Sequence, residues 1–255
     1  MELSKNKINL YSRLGSRKQR EKLGLFLAEG EKCVSDTLPF FETEAIIIMS
    51  DAEKGGMDAY AGLPVFTVSE SDMRKISQLQ SLPEVIAVYR MPAAKTLSES
   101  GLSQSISLLL DAVQDPGNLG TILRTASWFG IRQVILGTGC ADPYNPKAVQ
   151  SSMGAVGMID FVQANLEEVI DNHPDIPVCG TLLDGRNIYD APLSSPAFIV
   201  MGNEGNGLSA EVRSRVTMPL LIPSYAEGPH AESLNVAAAT AITLAEFMRK
   251  ITVNS

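Results

Sequence analysis

Three stretches of the 255-residue chain place polar side chains directly after apolar runs, where chemistry in an α/β protein is usually done. The first is Asp111-Ala-Val-Gln-Asp-Pro-Gly-Asn-Leu-Gly-Thr-Ile-Leu-Arg-Thr-Ala126. A turn rich in Gly, Pro and Asn leads there from a strand into a helix, with Asn118 in a position suited to capping. Helical spacing puts Leu119, Ile122, Ala126 and Phe129 on one face and Arg124 on another. Gly117 and Gly120 precede Arg124 by seven and four residues, so the surface beside the guanidinium lacks side chains and leaves room for a ligand. Taken alone, the segment also reads as a capped helix with Arg124 paired to a surface carboxylate.

The second stretch, Phe198-Ile-Val-Met-Gly-Asn-Glu-Gly-Asn-Gly-Leu-Ser209, sets three glycines around Glu204 immediately after an apolar strand. Glycine permits positive φ and close approach of a ligand to the main chain. The loop has no Walker A lysine and its spacing departs from the dinucleotide fingerprint. Its plain structural reading is a tight turn with Ser209 capping the next helix. The third stretch runs from Leu221 to Ala241 through Ser233 and Asn235, both placed where helix caps belong, into a slim turn made by Ala237, Ala238, Ala239 and Ala241.

Apolar runs at Ile106–Leu110, Gln133–Leu136, Val178–Leu182 and Phe198–Met201, separated by helix-length segments, predict a parallel sheet covered on both faces. A last helix from near Ser233 to about Lys250 follows, with Leu244, Phe247, Met248 and Ile251 as its apolar stripe. Upstream, short β-rich runs at Leu25–Ala28, Ala45–Met49, Val65–Val68 and Val85–Tyr89 alternate with helical stretches and predict a small α/β domain over residues 1–92. Residues 93–105 lack an apolar period and read as a linker, leaving 106–255 as the second domain.

Composition narrows the chemistry. Cys33, Cys140 and Cys179 are odd in number and far apart, and His173 and His230 are the only histidines, so no disulfide framework or metal site is expected. The N-terminus is polar and no apolar stretch approaches a membrane span, which makes the cytoplasm the expected location. A net charge of −8 opposes indiscriminate binding to nucleic acid. The first 22 residues differ: Lys5, Lys7, Arg13, Arg17, Lys18, Arg20 and Lys22 stand against Glu2 and Glu21. That run is either a solvated helix face or a set of phosphate contacts.

In order, N-x-G-x-x-x-R-x-A at Asn118–Ala126, G-x-E-G-x-G-L at Gly202–Leu208, and I-P followed by S-L-N-V at Ser233–Val236 resemble the three motifs of SpoU/TrmH RNA methyltransferases. Asp142-Pro-Tyr-Asn-Pro-Lys147 and Ser152-Met-Gly154 are similar to the stretch these enzymes carry between the first two motifs. The resemblance spans Ser105 to Lys250. Arg17-Lys-Gln-Arg20 and Gly24–Glu31 resemble the small RNA-recognition domain that precedes the catalytic one in many members.

The resemblance implies a SPOUT-type α/β fold, a parallel sheet whose C-terminal segment forms a trefoil knot. It also implies a homodimer and methyl transfer from S-adenosylmethionine to a ribose 2′-hydroxyl of RNA, ribosomal RNA ahead of transfer RNA. Arg124 would lie against the target ribose, framed by Asn118, Glu204, Ser233 and Asn235. Thr181, Gly202, Ile222 and Leu234 would hold the cofactor, and Arg13, Arg17, Lys18 and Arg20 would contact RNA phosphates. The family assigns the arginine as general base. A guanidinium is ordinarily protonated, so an electrostatic clamp on phosphate and developing alkoxide is the simpler role. The chain departs from the pattern at Ser224, where methionine is usual, and in the longer interval containing Glu227, Gly228, Pro229 and His230. Two other readings stay open, a noncatalytic RNA-binding module and a different nucleotide-binding α/β enzyme.

Overall fold

The computed structural model describes residues 1–50, 60–97, 99–229 and 231–253, so His230 lies outside the described residues. The chain divides into two compact units, Met1–Ala93 with Asp142–Gly157, and Ala94–Ala141 with Met158–Ser255.

The first unit is built on strands β1 (Leu25–Glu29), β2 (Thr43–Met49), β3 (Val65–Val68) and β4 (Val85–Arg90) in the order β1-β4-β2-β3. The β1–β4 and β4–β2 pairs are antiparallel and β2–β3 is parallel. Ile47, Ile86, Val88 and Leu27 are fully buried on one face of this sheet beside Met73 and Ile76 of the helix Glu70–Ile76. Burying side chains of this size contributes about 1.5–3 kcal/mol each. Helices Lys5–Tyr11 and Arg17–Leu23 carry the basic N-terminal residues except Arg13, which lies in the turn between them, and the second stops at Gly24 in the left-handed region.

Two expectations about domain limits are corrected. Asp142–Gly157, expected within the second domain, clusters with the first unit. Its helix Pro146–Ser152 packs on β1, the Tyr144 ring meets Phe26 at 4.7 Å between centroids, and Ala148 and Val149 are fully buried. Gly154 closes this segment at φ +85°, and a Cβ there would come within 2.8 Å of the Asp36 main-chain oxygen, so only glycine fits. The predicted linker also holds structure: Glu99–Gln104 is helical, with Leu102 fully buried. One buried leucine in six residues gives no readable period.

The second unit holds β5 (Ile106–Leu110), β6 (Gln133–Leu136), β7 (Asp160–Gln163), β8 (Val178–Asn187), β9 (Ala197–Met201) and β10 (Met218–Leu221). Their order is β10-β8-β9-β5-β6-β7 and every pairing is parallel. All five residues of β5 and all five of β9 are buried, as central parallel strands must be. The short edge strand β7 buries neither end residue and escaped the sequence reading. Pro219 is tolerated in β10 because that strand is also at an edge. The C-terminal helix covers Val236–Val253, three residues later at its start than expected, and packs on the helix Pro116–Trp128.

Cys33, Cys140 and Cys179 are buried free thiols. Burial pushes them up to about 11, 11 and 12 respectively, far from the reactive thiolate range. Iodoacetamide at pH 8 is therefore expected to leave the native protein unlabelled over an hour and to modify three sites after denaturation, as counted by intact mass. Rapid native labelling would contradict this placement.

Candidate active site

The site grows from the carboxyl edge of the parallel sheet. The side chain of Asp111, just past β5, accepts from the Ser209 N–H at 2.6 Å and ties the loop after β9 to the end of its neighbour. Asn203 donates through Nδ2 to the Ala112 carbonyl at 2.8 Å. The same side chain accepts from the amides of Gly205 and Asn206 at 2.9 and 3.1 Å, and Asn203 and Gly207 exchange main-chain hydrogen bonds. A Cβ on Gly202 would stand 2.4 Å from the Gly207 carbonyl carbon, so the turn can close only over glycine.

The helix of the first motif begins at Pro116, and Asp115 is its cap, accepting from the Asn118 amide at 2.9 Å. Asn118 is thus not the cap the sequence reading expected. The Asp-Pro pair at 115–116, with proline at the first helical position, was the signal for the earlier start. Released from capping, the Asn118 side chain faces two ways. Its Nδ2 donates to Glu204 Oε1 at 2.9 Å, and its Oδ1 accepts from Asn235 Nδ2 at 3.0 Å. Asn235 in turn accepts from the amides of Ala237 and Ala238 at 2.9 and 3.3 Å, capping the C-terminal helix. Each motif therefore supplies one member of a single chain, Asn235 to Asn118 to Glu204. Ser233 is exposed two residues before Asn235 and joins none of these bonds.

Arg124 lies on the exposed face of the same helix. Among the described residues neither a carboxylate nor a hydrogen-bond acceptor engages its guanidinium, so the expected alternative of a surface ion pair finds no partner here.

Thr181, Gly202 and Ile222 belong to three adjacent strands and the turns that leave them. Gly202 follows β9 and Ile222 follows β10, while Thr181 opens the interval 181–185 that interrupts the pairing of β8 with β10. The Thr181 hydroxyl approaches Met201 Sδ at 3.8 Å, Ile222 is half-buried and Leu234 is 52% exposed. Apolar surface left open beside main chain that follows a glycine turn fits a nucleoside cofactor. Among the described residues no group of three or more His, Cys, Asp or Glu side chains could hold a metal ion.

Of the four residues expected to meet RNA phosphates, Arg13, Arg17 and Lys18 are exposed in the first unit, Arg17 sharing a 2.8 Å bond with Glu21. Arg20 must be corrected. It is 1% exposed, bonded through Nε and Nη2 to Asp142 at 3.0 and 2.6 Å and through Nη1 to the Leu14 and Gly15 carbonyls. It holds the Asp142 segment to the first unit.

Comparison with known proteins agrees with this architecture. Residues 105–245 match the SpoU rRNA methylase family, and residues 5–87 match the MRM3-like substrate binding domain. The chain is 34% identical over 246 residues to the 23S rRNA (guanosine(2553)-2′-O)-methyltransferase RlmP of Bacillus subtilis, covering 95% of this chain and 96% of that protein. It superposes with a TM-score of 0.85 and 40% identity on a Porphyromonas gingivalis protein assigned to the TrmH family of RNA methyltransferases, covering 98% of this chain and 100% of that one. An AdoMet-bound rRNA methyltransferase from Sinorhizobium meliloti gives a TM-score of 0.81 at 29% identity, over 98% and 96% of the two chains. With the family matched across more than half its length on the segment that carries all three motifs, the chain belongs to the SpoU rRNA methylase family.

Proposed function

We propose that this protein transfers a methyl group from S-adenosylmethionine to a ribose 2′-hydroxyl of ribosomal RNA. The observation that carries the reading is the hydrogen-bonded chain from Asn235 through Asn118 to Glu204, which joins three distant motifs beside the open strand ends and the unpaired Arg124. The Bacillus subtilis and Sinorhizobium meliloti proteins are rRNA methyltransferases, which favours that acceptor over transfer RNA and disfavours both a noncatalytic module and an unrelated nucleotide enzyme.

When bound, S-adenosylmethionine supplies an electrophilic methyl on a sulfonium, and no metal is needed for an in-line displacement at that carbon. The protein's task is alignment. Thr181, Gly202, Ile222 and Leu234 line the cofactor's place at the ends of β8, β9 and β10. Arg124 holds the phosphate beside the target ribose and offsets negative charge growing on the 2′-oxygen as its proton leaves to water. Asn118 fixes the motif loops between Glu204 and Asn235. Ser233, exposed just ahead of Asn235, completes the frame when RNA is present.

The same reading takes the C-terminal segment as a trefoil knot and the working enzyme as a cytoplasmic homodimer. The edge position of β10, with the following helix returned onto the first-motif helix, supports the former. Residues 1–92 are the RNA-recognition domain, using Arg13, Arg17 and Lys18, and the match to the MRM3-like substrate binding domain supports that role. Residues 93–105 lead into the methyltransferase domain at 106–255, of which Asp142–Gly157 packs with the first unit. Among the described residues no helix is long and apolar enough to cross a membrane.

The test is incubation of the purified protein with methyl-labelled S-adenosylmethionine and unmodified large-subunit ribosomal RNA transcribed in vitro. Label should pass to the RNA in a cofactor-saturable manner. No incorporation despite cofactor binding would remove the reading.

A further inference from the structure

The chain's only tryptophan, Trp128, is 85% exposed at the end of the first-motif helix. An exposed aromatic carries information where it belongs to a wider apolar patch. Trp128 follows Arg124 by four residues, so the two side chains are neighbours on one helix face, with Thr121 exposed on the same stripe. Long helical side chains lean toward the N-terminus, which tilts the indole over the turn that carries Arg124. The segment is cationic. In a chain of net charge −8, residues 116–136 contain Arg124 and Arg132, both exposed, and no Asp or Glu. Met158, 49% exposed and contacted by the Ser127 hydroxyl at 3.5 Å, extends the apolar patch beside the indole.

From this we infer that Trp128 is a stacking platform for an unpaired RNA base next to the methylated nucleotide, fixing the substrate register while Arg124 engages the sugar-phosphate. The inference rests on the methyltransferase reading and adds to it a residue that selects single-stranded RNA. An indole one turn from an arginine is an arrangement that holds unpaired nucleotides, since every base offers a π-face and every linkage a negative charge.

Stacking of one base supports binding by roughly 5- to 150-fold when judged by alanine substitution. With the unmodified ribosomal transcript as substrate, Trp128→Ala is expected to raise KM for RNA within that range while kcat and cofactor affinity hold within about twofold, and Trp128→Phe should restore most of the loss. Because Trp128 is the sole tryptophan, emission of the wild-type protein reports on it directly and should be quenched by the transcript, whether or not methyl transfer occurs. Absence of methyl transfer by the wild type would count against the enzymatic reading, and quenching would still decide the stacking. Unquenched emission with an unchanged KM for Trp128→Ala overturns the inference. So does an emission change on diluting RNA-free protein, with Trp128→Ala losing self-association and keeping its KM, since that outcome gives the indole to a second copy.

Discussion

Arg124→Ala should lower kcat for RNA methylation by about 10²–10³-fold, the usual loss when a donor aimed at developing charge is removed, while calorimetric affinity for S-adenosylmethionine stays within twofold. The expectation follows from placement. The guanidinium is exposed and unengaged among the described residues, on a helix whose start is locked by Asp115 and whose Asn118 is locked by Glu204 and Asn235. It is therefore held ready for an outside ligand and does no structural duty. Arg124→Lys should recover little, because an ammonium cannot offer the planar fork that grips phosphate and sugar oxygens together. Activity of the alanine variant within tenfold of wild type would remove Arg124 from the chemistry.

Arg20→Ala should act on stability and not on catalysis. Its loss leaves the Asp142 carboxylate, 11% exposed, and the Leu14 and Gly15 carbonyls without their donor. Removing one partner of a buried pair costs about 3–5 kcal/mol, equivalent to a fall in Tm of roughly 10 °C for a chain of this size. The first unit should loosen, and limited proteolysis should cut near Asp142–Gly157 well before wild type is touched. A Tm within 2 °C of wild type combined with weaker RNA binding would return Arg20 to the phosphate-binding set that its sequence neighbourhood suggested.

These two arginines also show what a sequence makes legible. Arg124 stands out because its spacing from Asn118 and the glycines is local, and a helix converts local spacing into a face. Arg20 was placed by the basic run it belongs to, and it looks like its exposed neighbours Arg17 and Lys18 until Asp142, 122 residues away, enters its surroundings. The central strands were readable as continuous apolar runs because both of their faces are covered. The edge strand β7 was not, since Phe161 and Val162 are its only apolar residues and both are half-buried. The site residues were found by motif, but the manner of their joining was not. Capping was the obvious use for Asn118, and only the prior claim of Asp115 on that duty frees its amide to bridge Glu204 and Asn235. Trp128 carries no motif and becomes visible only through its exposure.

The most direct measurement locates the transferred methyl group. Labelled ribosomal RNA from the methylation assay is hydrolysed in alkali, which cleaves every linkage beside a free 2′-hydroxyl and spares the one that lacks it. The account predicts that the label is recovered in an alkali-resistant dinucleotide, from wild-type protein and not from Arg124→Ala. Label recovered in mononucleotides would mean that a base was methylated and would contradict the site as described.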